Sequence, residues 1–326
     1  MQAIINFLKT ILPVAVYILI FPGFLFAAVG GLVLAGLDRK VLARMQRRIG
    51  PPIVQPFYDF FKLMGKETIV PAAAKASVYK IAPIVGTVSL SLMMLFFPIF
   101  GHKAAFGTTA DLIVILYLLT IPAVALIIGG TASGSPFAGV GISREMVTML
   151  AYELPLVMVL LAVAKKVGGD GLSFSLADIS LWQLQNGSLL FKLSMVPAAL
   201  AFLLIIPAEV GTQPFDVAEA ETEICEGPLI EYSGAPLAMY KLNTAIKMFV
   251  MTALFSVLFL GGIDLGAYWL LGGALLFVFS AVLTLCTMTF IHAVTARLKV
   301  EHLFKFYWTV VAGLAAVSLI LVWIGL

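Results

Sequence analysis

The chain has 326 residues, of which 62% are hydrophobic and 11% charged, and its formal net charge is +3. Soluble globular domains carry about 25% charged residues, so this composition excludes an ordinary soluble enzyme. It points to an all-α integral membrane protein, because short alternating segments of the kind a barrel needs are not seen.

Taken in chain order, residues 11–37 form a first apolar run, too long for a signal-peptide core and read as a retained helix. A long loop at 38–80 follows. It opens with a basic cluster, Arg39, Lys40, Arg44, Arg47 and Arg48, and Gly50-Pro51-Pro52 then breaks any helix. From Gln55 to Lys66, Phe57, Phe60, Phe61 and Met64 recur at helical spacing, which predicts an amphipathic helix lying in the interface. Since a crossing needs about 20 apolar residues, further spans are expected at 81–100, 111–130, 143–164, 189–207, 237–260, 267–294 and 305–325. The expectation is about eight transmembrane helices in a single membrane domain, 1–326.

With eight spans, the loops at 38–80, 131–143, 208–236 and 295–305 share one side, and with Arg144 they hold thirteen of the twenty basic residues. That excess predicts a cytoplasmic location for these loops in a multi-pass membrane protein. Asp111 and Lys103 are expected at the outer surface.

The stretch Glu209–Gly234 concentrates the acids: Glu209, Asp216, Glu219, Glu221, Glu223, Glu226 and Glu231 are seven of the seventeen in the chain. Pro214 suits a helix start and Gly227-Pro228 a helix end. On such a helix Asp216, Glu219, Glu223 and Glu226 would share one face, with Glu221 pointing elsewhere. Crowded carboxylates repel and rise in pKa, which fits a proton relay. A solvated acidic face, or a dock for a basic partner, is the other reading.

Arg144, Glu145 and Glu153 fall in the fourth span. A charge at the bilayer centre costs roughly 2.5–3.5 kcal/mol, so it faces a partner or a wet cavity; Glu153 lies that deep, whereas Arg144 and Glu145 also read as markers of the cytoplasmic end of the helix. At ~100° per residue Glu145 and Glu153 lie about 80° apart on a helix, near enough to line one cavity. Lys247 lies within the sixth span, where it either exchanges protons from a buried position or snorkels to the interface. The basic cluster reads as a topology signal, an anionic-lipid contact or a docking surface for a soluble arm.

Cys225 and Cys286 are too few for a cluster or zinc site, and His102, His292 and His302 lack ligand spacing. Neither a phosphate-binding loop nor a dinucleotide-binding glycine pattern is present. The chain is expected to bind no cofactor or metal itself, and nothing points to nucleic acid.

The segments R-K-V-L-A-R-M-Q-R-R-I-G-P-P, Q-P-F-Y-D-F-F-K-L, Y-E-L-P and P-F-D-V-A-E-A-E-T-E…I-E-Y-S-G resemble, in order, the complex I membrane subunit usually designated 1 or H. That resemblance implies an eight-helix heel that anchors the hydrophilic arm and begins a chain of protonatable groups. Thr212 stands where the family's arginine is expected, and A-R-L-K-V-E-H-L replaces its R-Y-D-Q-L segment, which argues against a quinone site. The S-R-E-M and I-C-E-G-P-L-I-E-Y-S-G stretches are more similar to the corresponding subunit of energy-converting, membrane-bound [NiFe] hydrogenases and their sulfur-reducing relatives.

Carried over by position, the family's proton-path acids fall on Glu153, Glu209, Asp216, Glu219, Glu221 and Glu223, with Glu145 as an additional member. The resemblance implies a non-catalytic heel subunit of a ferredoxin-dependent, hydrogenase-like complex in a prokaryotic cell membrane. Its partners would be hydrophilic subunits carrying [4Fe-4S] clusters, a NiFe-type large subunit, small membrane subunits and antiporter-like subunits. Rival readings are a quinone-site subunit of complex I, the membrane subunit of a sulfur reductase, and a stand-alone secondary transporter, although no internal repeat is evident.

Overall fold

A computed structural model describes residues 16–98, 107, 109–169, 171–261 and 269–325. Among the described residues every regular element is helical, and seven helices are long and apolar enough to cross a membrane. The protein is an all-α integral membrane protein.

Helix α1 (Phe24–Met45) runs past the first apolar segment, so Arg39, Lys40 and Arg44 ride on its last turns instead of opening a loop. Helix α2 (Gln55–Met64) is the expected amphipathic helix, begun by Pro56. Helices α3 (Ala76–Met94) and α4 (Asp111–Ser133) follow. Only Gly134, at φ +73°, and Ser135 separate α4 from α5 (Pro136–Gly168), so the expected 131–143 loop is mostly helix.

Helix α6 (Leu176–Asn186) was not legible as a span or a loop. The Ser175 side chain caps it, accepting from the Asp178 N–H. The Asp111 carboxylate accepts the Leu176 N–H at 3.1 Å and is fully buried, which corrects its expected place at the outer surface. Lys103 lies outside the described residues.

The expected span at 189–207 is a shorter helix, α7 (Val196–Val210). Its 15 residues reach only about 22 Å at 1.5 Å per residue, against a hydrocarbon core of ~30 Å. Pro197 sits in its first turn and Gly211, in the left-handed conformation, ends it. The eighth apolar segment is therefore present as a short helix beside seven long ones.

After α8 (Glu221–Ile224), helix α9 (Gly234–Phe255) continues as a π-helix over Ser256–Leu260. Helix α10 (Trp269–Val294) is followed by α11 (Val300–Phe306), which passes through a π segment at Tyr307–Val311 into α12 (Ala312–Trp323). The span that includes α9 is 89% buried within the protein and is the central post. It packs on α1, α2, α3, α7 and α10. Gly31 of α1 faces the Ala245 carbonyl of α9 so closely that a Cβ would clash with it. Small residues at such crossings let backbones approach where lipid supplies no hydrophobic drive.

Candidate functional site

The site forms where α5, α7, α9 and the acidic stretch converge. Glu209 stands in the last turn of α7 and Lys247 three turns into α9. Their side chains pair at 3.1 Å, and the Lys247 ammonium also donates to the Glu209 backbone carbonyl at 2.8 Å. The Glu209 side chain is 2% exposed and that of Lys247 11%, so Lys247 does not snorkel. Charges taken this far from water persist only when paired. The Tyr152 hydroxyl of α5 lies against the same carboxylate.

This pair opens on a cavity of about 60 Å³ that is also lined by Glu145, Thr148, Asp216, Glu219 and Asn243. That is ample room for water, whose share of liquid volume is ~30 Å³. Asp216 receives Arg297 through two bonds to Oδ2, at 2.8 and 3.0 Å. Its buried Oδ1 has no partner among the described residues. Four carboxylates, Glu145, Glu209, Asp216 and Glu219, thus face one cavity with Lys247, and Arg297 binds one of them, Asp216. Burial pushes the half-buried Glu219 carboxyl above its ordinary range; Lys241 opposes that shift and Glu226 adds to it.

The expected long acidic helix is not there. Only Glu221–Ile224 is helical, and the stretch from Gly211 to Ala220 runs mainly through turns and irregular backbone. Cys225, Glu226 and Gly227 all take positive φ and break the chain's direction. Asp216, Glu219, Glu223 and Glu226 therefore do not share a helical face. The physical reason is competition: instead of stacking like charges on one helical face, the acids take different partners, although Asp216 and Glu219 still share the cavity. Asp216 takes Arg297, Glu219 turns to the cavity, and Glu223 accepts from Arg144 at 2.6 Å. Arg144 also reaches the Val217 carbonyl at 3.4 Å, tying this stretch to α5.

Glu145 and Glu153 do not share this cavity either. Glu145 lines it, whereas Glu153, two turns on, is half-buried outside it, near enough to Glu209 for their charges to repel. Glu221 lies in α8. On the basic side Arg39 pairs with Asp59 at 2.8 Å and Gln55 donates to the same carboxylate at 3.0 Å, joining α1 to α2. Slight burial pushes the Asp59 carboxyl up, but these bonds outweigh it and hold the carboxyl below its ordinary value. Lys40 is half-buried, while Arg44, Arg47 and Arg48 are exposed.

Sequence reasoning missed Arg297 as the partner of Asp216, and it missed Tyr152, Thr148 and Asn243 around the acids. The signals were present but faint. Thr148 stands one turn after Arg144, Tyr152 precedes Glu153, and Asn243 stands one turn before Lys247.

The family described as NADH dehydrogenase matches residues 15–323. Hydrogenase-4 component C of Escherichia coli (strain K12) is 35% identical over 226 residues, 69% of each chain. The NADH-quinone oxidoreductase H subunit of Thermomicrobium roseum is 35% identical over 309 residues, 86% of this chain and 87% of that one. Among solved structures, a chain of the membrane-bound sulfane sulfur reductase, an archaeal respiratory membrane complex, superposes with a TM-score of 0.83 at 31% identity, covering 92% of this chain and 96% of that chain. The chain belongs to the NADH dehydrogenase family and is a membrane subunit of the type found in complex I-like, hydrogenase-like and sulfane sulfur reductase complexes.

Proposed function

We propose that this chain couples electron transfer in a soluble arm to proton or Na⁺ movement through membrane partners in a ferredoxin-dependent, hydrogenase-like complex. The observation that carries the reading is the buried Glu209–Lys247 pair opening on the cavity shared by Glu145, Asp216 and Glu219. A charge change in the arm acts on these groups through space. Within the cluster, two unit charges ~4 Å apart at an effective dielectric of about 20 interact by roughly 4 kcal/mol, so displacing one charge is enough to move a proton between neighbouring carboxylates. The exposed Arg44, Arg47 and Arg48 dock the arm, and the clusters and NiFe centre belong to partner subunits. In this reading the basic and acidic segments face the cytoplasm.

The test uses sealed inverted vesicles carrying the whole complex, driven by reduced ferredoxin. Glu209→Gln is expected to lower ions moved per electron pair at least ten-fold while the subunits remain assembled. An unchanged ratio would remove this cluster from the coupling path. A second reading, a quinone-linked subunit, draws on the similarity to NADH-quinone oxidoreductase subunits. It is opposed by Thr212, whose hydroxyl turns back to the Pro207 carbonyl where the family's arginine is expected. Quinone-site inhibitors are accordingly expected to leave turnover unchanged; potent inhibition would favour the quinone reading.

A further inference from the structure

A second cavity, of about 260 Å³, lies where α1, α2 and α9 meet. Its walls are of two chemical kinds. Leu32, Ala35, Phe60 and Leu242 are apolar, whereas Arg39, Lys62 and Lys241 are cationic. Along α1 the two kinds are segregated. Seven residues separate Arg39 from Leu32, about 10 Å of helix, and the charged end of α1 is the one leaving the apolar span. Helix α9 runs the other way, so Lys241 lies nearer its surface end and Ala245, also in the wall, lies deeper. Both helices thus place a cation at the mouth and apolar side chains below it.

The charges at the mouth do not cancel. Asp59 is the one carboxylate in the lining, and Arg39 and Gln55 already occupy its oxygens. Neither Lys62 nor Lys241 has an ion-pair partner among the described residues. The amphipathic α2 forms one wall, the kind of helix that lies in the interface among headgroups. A free phosphate would satisfy the cations and leave the apolar wall unused.

We propose that this cavity binds an anionic phospholipid, with Arg39, Lys62 and Lys241 around its phosphate and the upper acyl chain along Leu32, Ala35 and Leu242. Lys241 also faces Glu219 of the acidic cavity, so the lipid's phosphate and the acid cluster share a cation. The proposal is independent of the coupling path, since occupancy is read without turnover.

The experiment reconstitutes the whole complex into phosphatidylcholine vesicles doped with phosphatidylglycerol that carries a photoreactive group high on one acyl chain. Crosslinks are expected in the peptides holding residues 32–39, 55–64 and 241–245. They are expected at least ten-fold above those from equally labelled phosphatidylcholine. Lys62→Gln with Lys241→Gln should cut labelling at least ten-fold with subunit content unchanged. Should that variant not assemble, the comparison of the two lipids on the unaltered complex decides alone. Equal labelling by both lipids would overturn the proposal. So would removal of the label by millimolar inorganic phosphate, which assigns the site to a free anion, or by a short-chain quinone.

Discussion

At the scale of single residues, Glu209 and Lys247 form the most deeply buried ion pair among the described residues. Glu209→Ala takes from the buried Lys247 ammonium its paired carboxylate and leaves it the backbone carbonyl of residue 209 and the other acids of the cavity. Removing one partner of a buried pair costs about 3–5 kcal/mol, and removing both charges is often near neutral. Thermal unfolding of the detergent-purified complex should therefore show a marked fall for Glu209→Ala and substantial recovery for Glu209→Ala with Lys247→Met. Equal losses in the two would mean that the pair is not the source of the effect.

Glu219 gives a pH signature. Burial raises its carboxyl above the ordinary 4.5 in the folded chain. Between the unfolded value and the raised one, the folded state binds more protons, so stability falls as pH rises. Glu219→Gln lacks that fall. The melting temperature of Glu219→Gln relative to the unaltered protein should climb as pH rises from about 4.5, then level off above the raised value. A difference flat across pH would mean that Glu219 is solvated like a surface acid.

At the scale of elements, the acidic stretch is held by ties to its neighbours and has little regular structure of its own. Arg297 binds Asp216 and Arg144 binds Glu223, while Pro228 packs against Gly141 of α5. Arg297→Ala strips Oδ2 of its guanidinium beside an Oδ1 already without a partner. Amide exchange over residues 211–226 is expected to quicken at least ten-fold while α9, packed on all sides, is unchanged. Exchange confined to its present level would show that packing alone holds the stretch.

The same scale explains what was legible. Seven long apolar runs read directly as helices because ~20 residues of apolar chain have few other fates in a bilayer. The amphipathic α2 was equally plain from its phenylalanine spacing. The acidic helix was wrongly expected because spacing reports only which residues would share a face if the helix formed. It cannot report that Arg144 and Arg297, dozens of residues away, offer Glu223 and Asp216 better partners.

At the scale of the whole molecule, the arginines near the end of α1 and the acidic cavity are separate devices, joined through α2 and α9. Charge reversal at Arg44, Arg47 and Arg48 together should strip the soluble subunits from the purified complex and leave the membrane subunits associated. Lys192→Glu, placed before the far end of α7, serves as the control with full subunit content. Retention of the soluble arm by the triple variant would move docking to another surface. Mass spectrometry with metal analysis of the co-purified subunits reads both this result and the identity of the arm.

Composition and periodicity by themselves determined that the chain is an all-α membrane protein, and its motifs marked the family and most of the acids around the cavity. Those properties follow from local chemistry: apolar length, helical spacing and residue type. Only the tertiary structure decided that Lys247 faces Glu209, that Glu145 joins the cavity while Glu153 stays outside it, and that Asp216 and Glu223 are held apart by different arginines. Those outcomes depend on which helix faces meet, and a buried charge is stabilised by whatever partner packing brings within about 3 Å.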